Sequence, residues 1–300
     1  MKFVTMDEVQ TGLHGTHRSY QDNSPNVVFP AADLMAQPPI LPIILQLCEA
    51  LQREQIRYCH WKSNAAIDRS ASGENDLDLL VHRADLSRFT AVLARLGYKE
   101  AIARPDKQLP GVLDYYGYDE ASDTLVHVHV HYQLILGHDA AKNYRLPIEE
   151  AYLASARPDR YFMIPAPEFE FVVFIVRMVL KHATWDAIFG LESQFGKTER
   201  LEFDELLQQS DHERVQAILR EYLPFIGVAL FEQCVEALHQ PSPIWRRIRL
   251  GYRMQQQLVA HTRRPGAAAL FLRFGAAGCG VCVSICCANR PASVLQVAAR

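Results

Sequence analysis

The first part of the chain alternates between helical and strand-like spacing of hydrophobic residues. Apolar residues recur every three to four positions over residues 39–55 and 86–96, which predicts two amphipathic helices. The apolar runs at 56–61 and 76–81 predict short buried strands, and residues 64–70 between them predict a short helix. The predicted order is therefore helix, strand, helix, strand, helix.

Strand-like patterns continue to about residue 136. They predict three further strands, at residues 98–103, 112–118 and 124–136. The alternation is strict in the last of these, so His127, His129 and His131 share one face and valines occupy the other. Together with the preceding elements, these strands predict a small mixed sheet with flanking helices.

Beyond Pro147 the pattern becomes helical. Residues 168–182 are apolar almost all round, which predicts a central buried helix. Four more helices are predicted, at residues 201–209, 212–222, 228–238 and 244–259. We therefore expect an α+β protein, in which a mixed sheet with flanking helices is followed by a mainly helical domain.

The chain divides into four predicted segments. Residues 1–38 show no sustained hydrophobic period and are interpreted as a flexible leader. Residues 39–164 form the predicted α/β domain, and residues 165–261 form the predicted helical domain. Residues 262–300, where the period fades into Ala, Gly, Cys and Arg, are interpreted as a tail or linker.

Composition narrows the class of protein. Of the 300 residues, 49% are hydrophobic and 22% are charged, which is typical of globular proteins and argues against overall disorder. The formal net charge of -3 gives no general nucleic-acid footprint, although a local basic patch leaves nucleic acid open as a partner. The sequence shows neither a secretory signal nor a membrane span, so we expect a cytoplasmic protein with no membrane partner, whose 7 cysteines are reduced.

Candidate chemistry is concentrated in two short motifs. Lys62 and Ser63 follow the first predicted strand, and Asp76 and Asp78 stand at the start of the second. Because residues two apart on a strand point the same way, the two carboxylates project from one face. Such a pair favours Mg²⁺, with Mn²⁺ as the alternative, and the cation usually also contacts a substrate phosphate. Taken alone, two such aspartates are more often solvated residues on an exposed edge strand of a sheet.

These motifs resemble the signature of the nucleotidyltransferase (polymerase-beta-like) superfamily, in which a Gly-Ser or equivalent pair precedes two aspartates on the next strand. A narrower resemblance is to the nucleotidyltransferase-like N-terminal region of bacterial proteins described as thymidylate kinases. The sequence segments that show this narrower resemblance are residues 58–64, 76–81, 127–132, 136–139 and 165–171. The resemblance implies a nucleotidyltransferase-like domain over residues 39–164 and metal-dependent transfer of a nucleotidyl group from an NTP to a hydroxyl acceptor.

The resemblance also implies roles for particular residues. Asp76 and Asp78 are expected to hold the metal and to be catalytic, while Lys62 and Ser63 are expected to contact the triphosphate. The family usually has a third carboxylate on a later strand, and His129 occupies that position here. Histidine accepts a proton readily but is a poor Mg²⁺ ligand, so His129 is a candidate catalytic base.

Because His129 stands where the family usually has a third carboxylate, functions other than nucleotidyl transfer to a simple hydroxyl acceptor stay open. One alternative is a non-catalytic nucleotide- or sugar-binding module that regulates a thymidylate-kinase-like partner. Another is a toxin-like nucleotidyltransferase that acts on tRNA. The sequence contains no G-x-x-x-x-G-K-[ST] motif, so kinase activity itself is not expected of this chain.

Two further sets of residues allow more than one interpretation. Arg177 and Lys181 lie four apart on the central helix, so they share a face and contact either protein acids or nucleotide phosphates; we predict nucleotide binding. The histidines at 127, 129 and 131 could suggest zinc. Successive residues on one strand face are about 6.8 Å apart, so the outer two are not expected to share one ion.

Overall fold

The structure is a computed structural model that describes residues 40–103, 108–137, 144–182, 196–240 and 242–262. The strands are β1 Tyr58–His60, β2 Leu77–Val81, β3 Lys99–Ala101, β4 Val112–Asp119, β5 Thr124–His131, β6 Leu134–Leu136, β7 Tyr144–Leu146, β8 Arg157–Asp159 and β9 Phe162–Ile164. The helices are α1 Pro42–Arg53, α2 Ile67–Ala71, α3 Leu86–Arg95, α4 Glu149–Ala154, α5 Pro167–His182, α6 Lys197–Gln209, α7 His212–Tyr222, α8 Val228–His239 and α9 Ile244–Leu258.

One mixed sheet organises the first part of the molecule. Its strands lie in the order β1-β2-β5-β4-β3, and β2 runs parallel to β5 while the other neighbouring pairs are antiparallel. Helices flank this sheet and a helical region follows it, which confirms the predicted α+β class. The register places Asp78 of β2 beside His129 of β5, and His129 beside Asp114 of β4.

The two faces of the sheet have different surroundings. Leu77, Leu79 and Val128 belong to a buried core that also contains the apolar residues of α1 and α3. Because successive residues of a strand point to opposite faces, Asp78 and His129 project from the other face. That second face is where the polar residues predicted to be functional are found.

Helix α5 is the centre of the helical region. It packs against α6, α7, α8 and α9, and within residues 171–180 every side chain except that of Arg177 is buried. This confirms the prediction of a central buried helix. The apolar sequence of α5 therefore fixes its position in the core and brings one basic side chain to the core's edge.

The predicted strand at 124–136 is wrong in its extent. The chain leaves the main sheet after His131, and β6 pairs with β7 in a separate two-stranded sheet. The Leu134 N–H donates to Glu149 Oε1 at 3.2 Å. Leu134 and Leu136 belong to the core of the helical region, so burial there outweighs continuation of the strand. The alternation of hydrophobic and polar residues along the sequence does not show in which of the two hydrophobic cores a residue is buried.

Several smaller elements were not predicted from the sequence. These are β7, α4 and the hairpin formed by β8 and β9. Residues 1–38, interpreted as a leader, and all of the predicted tail at 262–300 except Thr262 lie outside the described residues. The domain boundaries at 164 and 261 stay predictions. Among the described helices, none has the length and apolar character that crossing a membrane requires.

Burial along α6 generates a prediction about stability. Leu206 is 6% exposed in the helical core, whereas Leu201 on the same helix is 66% exposed. We expect Leu206→Ala to lower the free energy of unfolding by about 2–4 kcal/mol, because the change removes buried methyl groups and leaves a cavity. Leu201→Ala is the matched control, with an expected change within about 0.5 kcal/mol. Urea unfolding of both variants tests this, and equal effects would contradict the packing described for α6.

Candidate functional site

A cleft of about 460 Å³ lies between the polar face of the sheet and the helices α5 and α6. Six of the seven residues predicted to act in catalysis or binding line this cleft, namely Lys62, Ser63, Asp76, Asp78, Arg177 and Lys181. The described lining also includes Glu74, His131, Glu199 and Glu202, but not His129. The structure thus brings together residues that are more than a hundred positions apart in sequence.

The two aspartates differ in their surroundings. The side chain of Asp76, just before β2, is 55% exposed, while that of Asp78 is 10% exposed. Burial alone would raise the pKa of Asp78, but the Lys62 ammonium at 2.8 Å and a hydrogen bond with His129 lower it well below its usual range. Asp78 is therefore ionised inside the cleft and is paired with a cation of the protein.

The loop that carries Lys62 and Ser63 is held at several points. The Trp61 N–H donates to the carbonyl oxygen of Asp78 at 3.2 Å, and the Tyr152 hydroxyl donates to the Trp61 carbonyl at 2.8 Å. Ser63 has a φ of +58°, a left-handed conformation that costs a residue with a Cβ about 1–2 kcal/mol. Backbone strain of this kind is concentrated at functional sites, where the surrounding contacts enforce it.

Two glutamates on α6 hold the basic residues of α5. Arg177 Nη2 donates to Glu202 Oε1 at 3.2 Å, and Lys181 Nζ donates to Glu199 Oε1 at 2.9 Å. Glu202 Oε1 also accepts the backbone N–H of Ser63 at 3.1 Å. Of the two sequence interpretations, contact with protein acids is therefore observed. Contact with nucleotide phosphates stays a prediction, since both basic side chains still face the cleft.

The first histidine of β5 bridges two carboxylates. His127 Nδ1 lies 2.9 Å from Asp76 Oδ1, and His127 Nε2 lies 2.9 Å from Asp114 Oδ1. Burial would lower the pKa of His127, but these two hydrogen bonds and charges raise it to about 9. His127 is consequently an imidazolium near neutral pH, and its charge lowers the pKa of Asp76.

The other two histidines meet at Asp78. His129 Nδ1 lies 3.0 Å from Asp78 Oδ1 and 3.3 Å from His131 Nε2. The donor atoms of these three residues all lie within 4.8 Å of one another, close enough for a metal ion to contact all three. On its other side, His129 Nε2 faces Asp114 Oδ1 at 3.8 Å. The structure thus places His129 between two carboxylates and one neighbouring imidazole.

Comparison with protein families agrees with this geometry. A family model described as an uncharacterised nucleotidyltransferase matches residues 41–225, more than half of the chain. The chain belongs to this nucleotidyltransferase family. The match spans α1 to α7 and includes every cleft residue named above. Searches of curated proteins and of solved structures returned no match.

Sequence reasoning missed several residues that line the nucleotidyltransferase cleft or contact its histidines. Asp114 lies within the predicted strand 112–118. A carboxylate beside the aromatic residues of that strand was the available sign of a functional role. Glu199 and Glu202 gave no signal, because their importance depends on how α6 packs against α5. His131 was noted as one of three alternating histidines, but its contact with His129 could not be read from the alternation.

A buried polar network supports the loop of the nucleotidyltransferase motif from below. His60 Nδ1 donates to Asn64 Oδ1 at 2.6 Å, and Asn64 Nδ2 donates to Glu170 Oε1 at 2.7 Å. Burial and the nearby charge of Glu202 raise the pKa of Glu170 to about 8, against the hydrogen bond from Asn64. Glu170 therefore folds with its proton bound at neutral pH.

This network predicts a pH dependence of stability. The pKa of Glu170 rises from 4.5 to about 8 on folding, so its contribution is complete below pH 4.5 and is lost as the pH rises through 8. Relative to Glu170→Gln, which keeps the acceptor oxygen, the wild type should lose up to about 1.4 kcal/mol of unfolding free energy per pH unit in this window. Urea unfolding across the window measures the difference, and parallel curves would contradict it.

Proposed function

We propose that this protein is a metal-dependent nucleotidyltransferase that transfers a nucleotidyl group from an NTP to a hydroxyl acceptor. Membership of the nucleotidyltransferase family supports nucleotidyl transfer as the reaction class. The observation that carries the finer proposal is the cleft itself. One wall presents the carboxylates of Asp76 and Asp78, and the opposite wall presents the basic side chains of Arg177 and Lys181, which is the combination of charges that a metal-bound triphosphate needs.

The charge balance of the cleft supports metal dependence. Within the part of the chain that the structure describes, five carboxylate side chains line it, those of Glu74, Asp76, Asp78, Glu199 and Glu202, against three basic ones, those of Lys62, Arg177 and Lys181. A triphosphate adds further negative charge, so binding it here requires a cation. Asp76 and Asp78 offer the oxygen donors that Mg²⁺ and Mn²⁺ accept, and they are the residues that would hold the ion. When bound, such an ion neutralises charge on the transferring group.

The remaining residues have roles in binding and orientation. Arg177 and Lys181 are held in place by Glu202 and Glu199, so these two basic side chains are positioned before the substrate arrives. Ser63 lies beside Arg177, with its Oγ 3.5 Å from Arg177 Nη1. In this scheme these side chains and Lys62 orient the triphosphate, and fixed charges of this kind act mainly by positioning and electrostatic stabilisation.

His129 is the proposed base for the acceptor. As the acceptor oxygen bonds to the α-phosphorus and pyrophosphate leaves, the hydroxyl proton passes to the imidazole. Asp78 at 3.0 Å and Asp114 at 3.8 Å lie on either side of the ring and would stabilise the imidazolium that forms. His129 is not among the described cleft-lining residues, whereas its neighbour Asp78 is, so in this scheme the acceptor approaches His129 past Asp78.

Asparagine substitutions test the catalytic proposal. Asp78→Asn keeps the shape of the side chain but removes its charge, so we expect about 10³-fold slower transfer, equivalent to about 4 kcal/mol. Asp76→Asn should act in the same direction. Glu120→Gln, in an exposed turn, is the control and should leave the rate unchanged. Pyrophosphate release and labelled product are measured with each NTP across an acceptor panel. Wild-type rates in both aspartate variants would refute the scheme.

A non-catalytic module is the second candidate function. The Lys62 ammonium lies 2.8 Å from Asp78 Oδ1, on an oxygen that the catalytic scheme assigns to a metal. A binding module that regulates a thymidylate-kinase-like partner needs no such metal, and the salt bridge would then be permanent. Calorimetry with a non-hydrolysable NTP separates the two functions. Binding that is insensitive to Mg²⁺, together with no turnover of the corresponding hydrolysable NTP, favours the module; binding that requires Mg²⁺ favours the enzyme.

A further inference from the structure

Three side chains on the polar face of the sheet converge with an unusual set of donor atoms. Asp78, His129 and His131 contribute one carboxylate oxygen and two imidazole nitrogens, and these ligand atoms all lie within 4.8 Å of one another. His131 is 1% exposed, and the side chains of Asp78 and His129 are 10% and 13% exposed. The strand pairing of β2 with β5 fixes the first two donors, and alternation along β5 fixes the third.

Two of the three distances between these donors are close to those around a tetrahedral ion. Ligands at about 2.0–2.1 Å from a tetrahedral metal lie about 3.3 Å from each other. The observed separations are 3.0 Å from Asp78 Oδ1 to His129 Nδ1 and 3.3 Å from His129 Nδ1 to His131 Nε2. A single proton on His129 Nδ1 cannot point at both neighbours, whereas one cation can accept a lone pair from each of the three atoms.

We propose that Asp78, His129 and His131 form a binding site for a transition-metal ion of the Zn²⁺ and Co²⁺ class. Imidazole nitrogens suit these borderline metals, while Mg²⁺ prefers oxygen donors and is not expected to bind this set. Three protein donors are also the number found in zinc sites that keep an open coordination position. This inference rests on donor geometry and does not require nucleotidyl transfer.

The surroundings of the cluster resemble those of protein metal sites in one further respect. Metal-binding histidines usually direct their second ring nitrogen toward a carboxylate or carbonyl group. His129 Nε2 faces Asp114 Oδ1 at 3.8 Å, and Asp114 is held in turn by His127 at 2.9 Å. A small approach of Asp114 would complete the contact that fixes the tautomer in which Nδ1 is the metal ligand.

Lys62 is the competitor of the metal. Its Nζ lies 2.8 Å from Asp78 Oδ1, the same oxygen that faces the histidines. Its side chain is 20% exposed and lines the cleft, so it can move away into solvent when the ion binds. Removing the ammonium should therefore tighten metal binding, a result that a purely structural cluster of histidines would not give.

The site overlaps the proposed reaction centre. Asp78 and His129 serve both schemes, and an imidazole that is bound to a metal through Nδ1 cannot use that atom to accept a proton. Occupancy by Zn²⁺ is therefore expected to inhibit transfer supported by Mg²⁺, if the protein is a nucleotidyltransferase. The binding measurement below uses no nucleotide, so its outcome is separate from that of the proposed function.

The test is titration of the full chain with CoCl₂ and ZnCl₂, followed by visible absorption of Co²⁺ and by calorimetry. A background variant first replaces with serine the tail cysteines that offer competing thiolates, Cys279, Cys282, Cys286 and Cys287. In this background we expect one equivalent of metal with the absorption of a four- or five-coordinate nitrogen and oxygen site. His131→Ala should weaken binding by about 100-fold or more, since outer-sphere partners alone contribute 10–100-fold.

The control variants make the result decisive. His127→Ala removes a histidine of the same strand face that supplies no donor atom and reaches the cluster only through Asp114, so it should weaken binding far less than His131→Ala does, and Lys62→Met should bind the metal several-fold more tightly. The circular dichroism spectrum of each variant without metal checks that it folds. Failure of the background protein to bind either ion, or equal weakening by His127→Ala and His131→Ala, would overturn the inference.

Discussion

The parallel pairing of β2 with β5 is the constraint on which the site depends. It places Asp78 beside His129, and the antiparallel pairing of β5 with β4 adds Asp114 on the other side of the same histidine. A slip of one residue in either pairing would turn the polar side chains into the core and the valines into the cleft. Burial of Leu77, Leu79 and Val128 under α1 and α3 therefore fixes the chemistry of the opposite face.

The helical region supplies the second wall, and its apolar packing sets the position of the charges. Arg177 is the partly exposed residue in a buried stretch of α5, so its guanidinium reaches the cleft from a rigid helix. Glu202 contacts both this guanidinium and the backbone N–H of Ser63. That one carboxylate joins α6, α5 and the loop after β1. Burial raises its pKa, and the charge of Arg177 partly offsets that rise.

Sequence patterns predicted much of this architecture because most of its elements are strongly periodic. The central helix, the five sheet strands and the Asp76–Asp78 motif follow from hydrophobic spacing and from a resemblance that the family match bears out at superfamily level. Contacts that depend on tertiary packing could not be predicted. The partners of Arg177 and Lys181, the carboxylate of Asp114 and the exit of the chain from the sheet after His131 are decided by how separate elements meet.

The salt bridge between Lys62 and Asp78 is compatible with a cation-binding site at Asp78. A buried carboxylate without a partner is costly, and the ammonium 2.8 Å away supplies that partner within the protein. A divalent ion that binds through Asp78 Oδ1 must displace this ammonium, which lowers the apparent affinity for the ion. The displaced ammonium then enters a cleft whose far wall carries Arg177 and Lys181. In the proposed reaction it would meet the triphosphate there, so one lysine would neutralise Asp78 before the cation binds and the substrate afterwards.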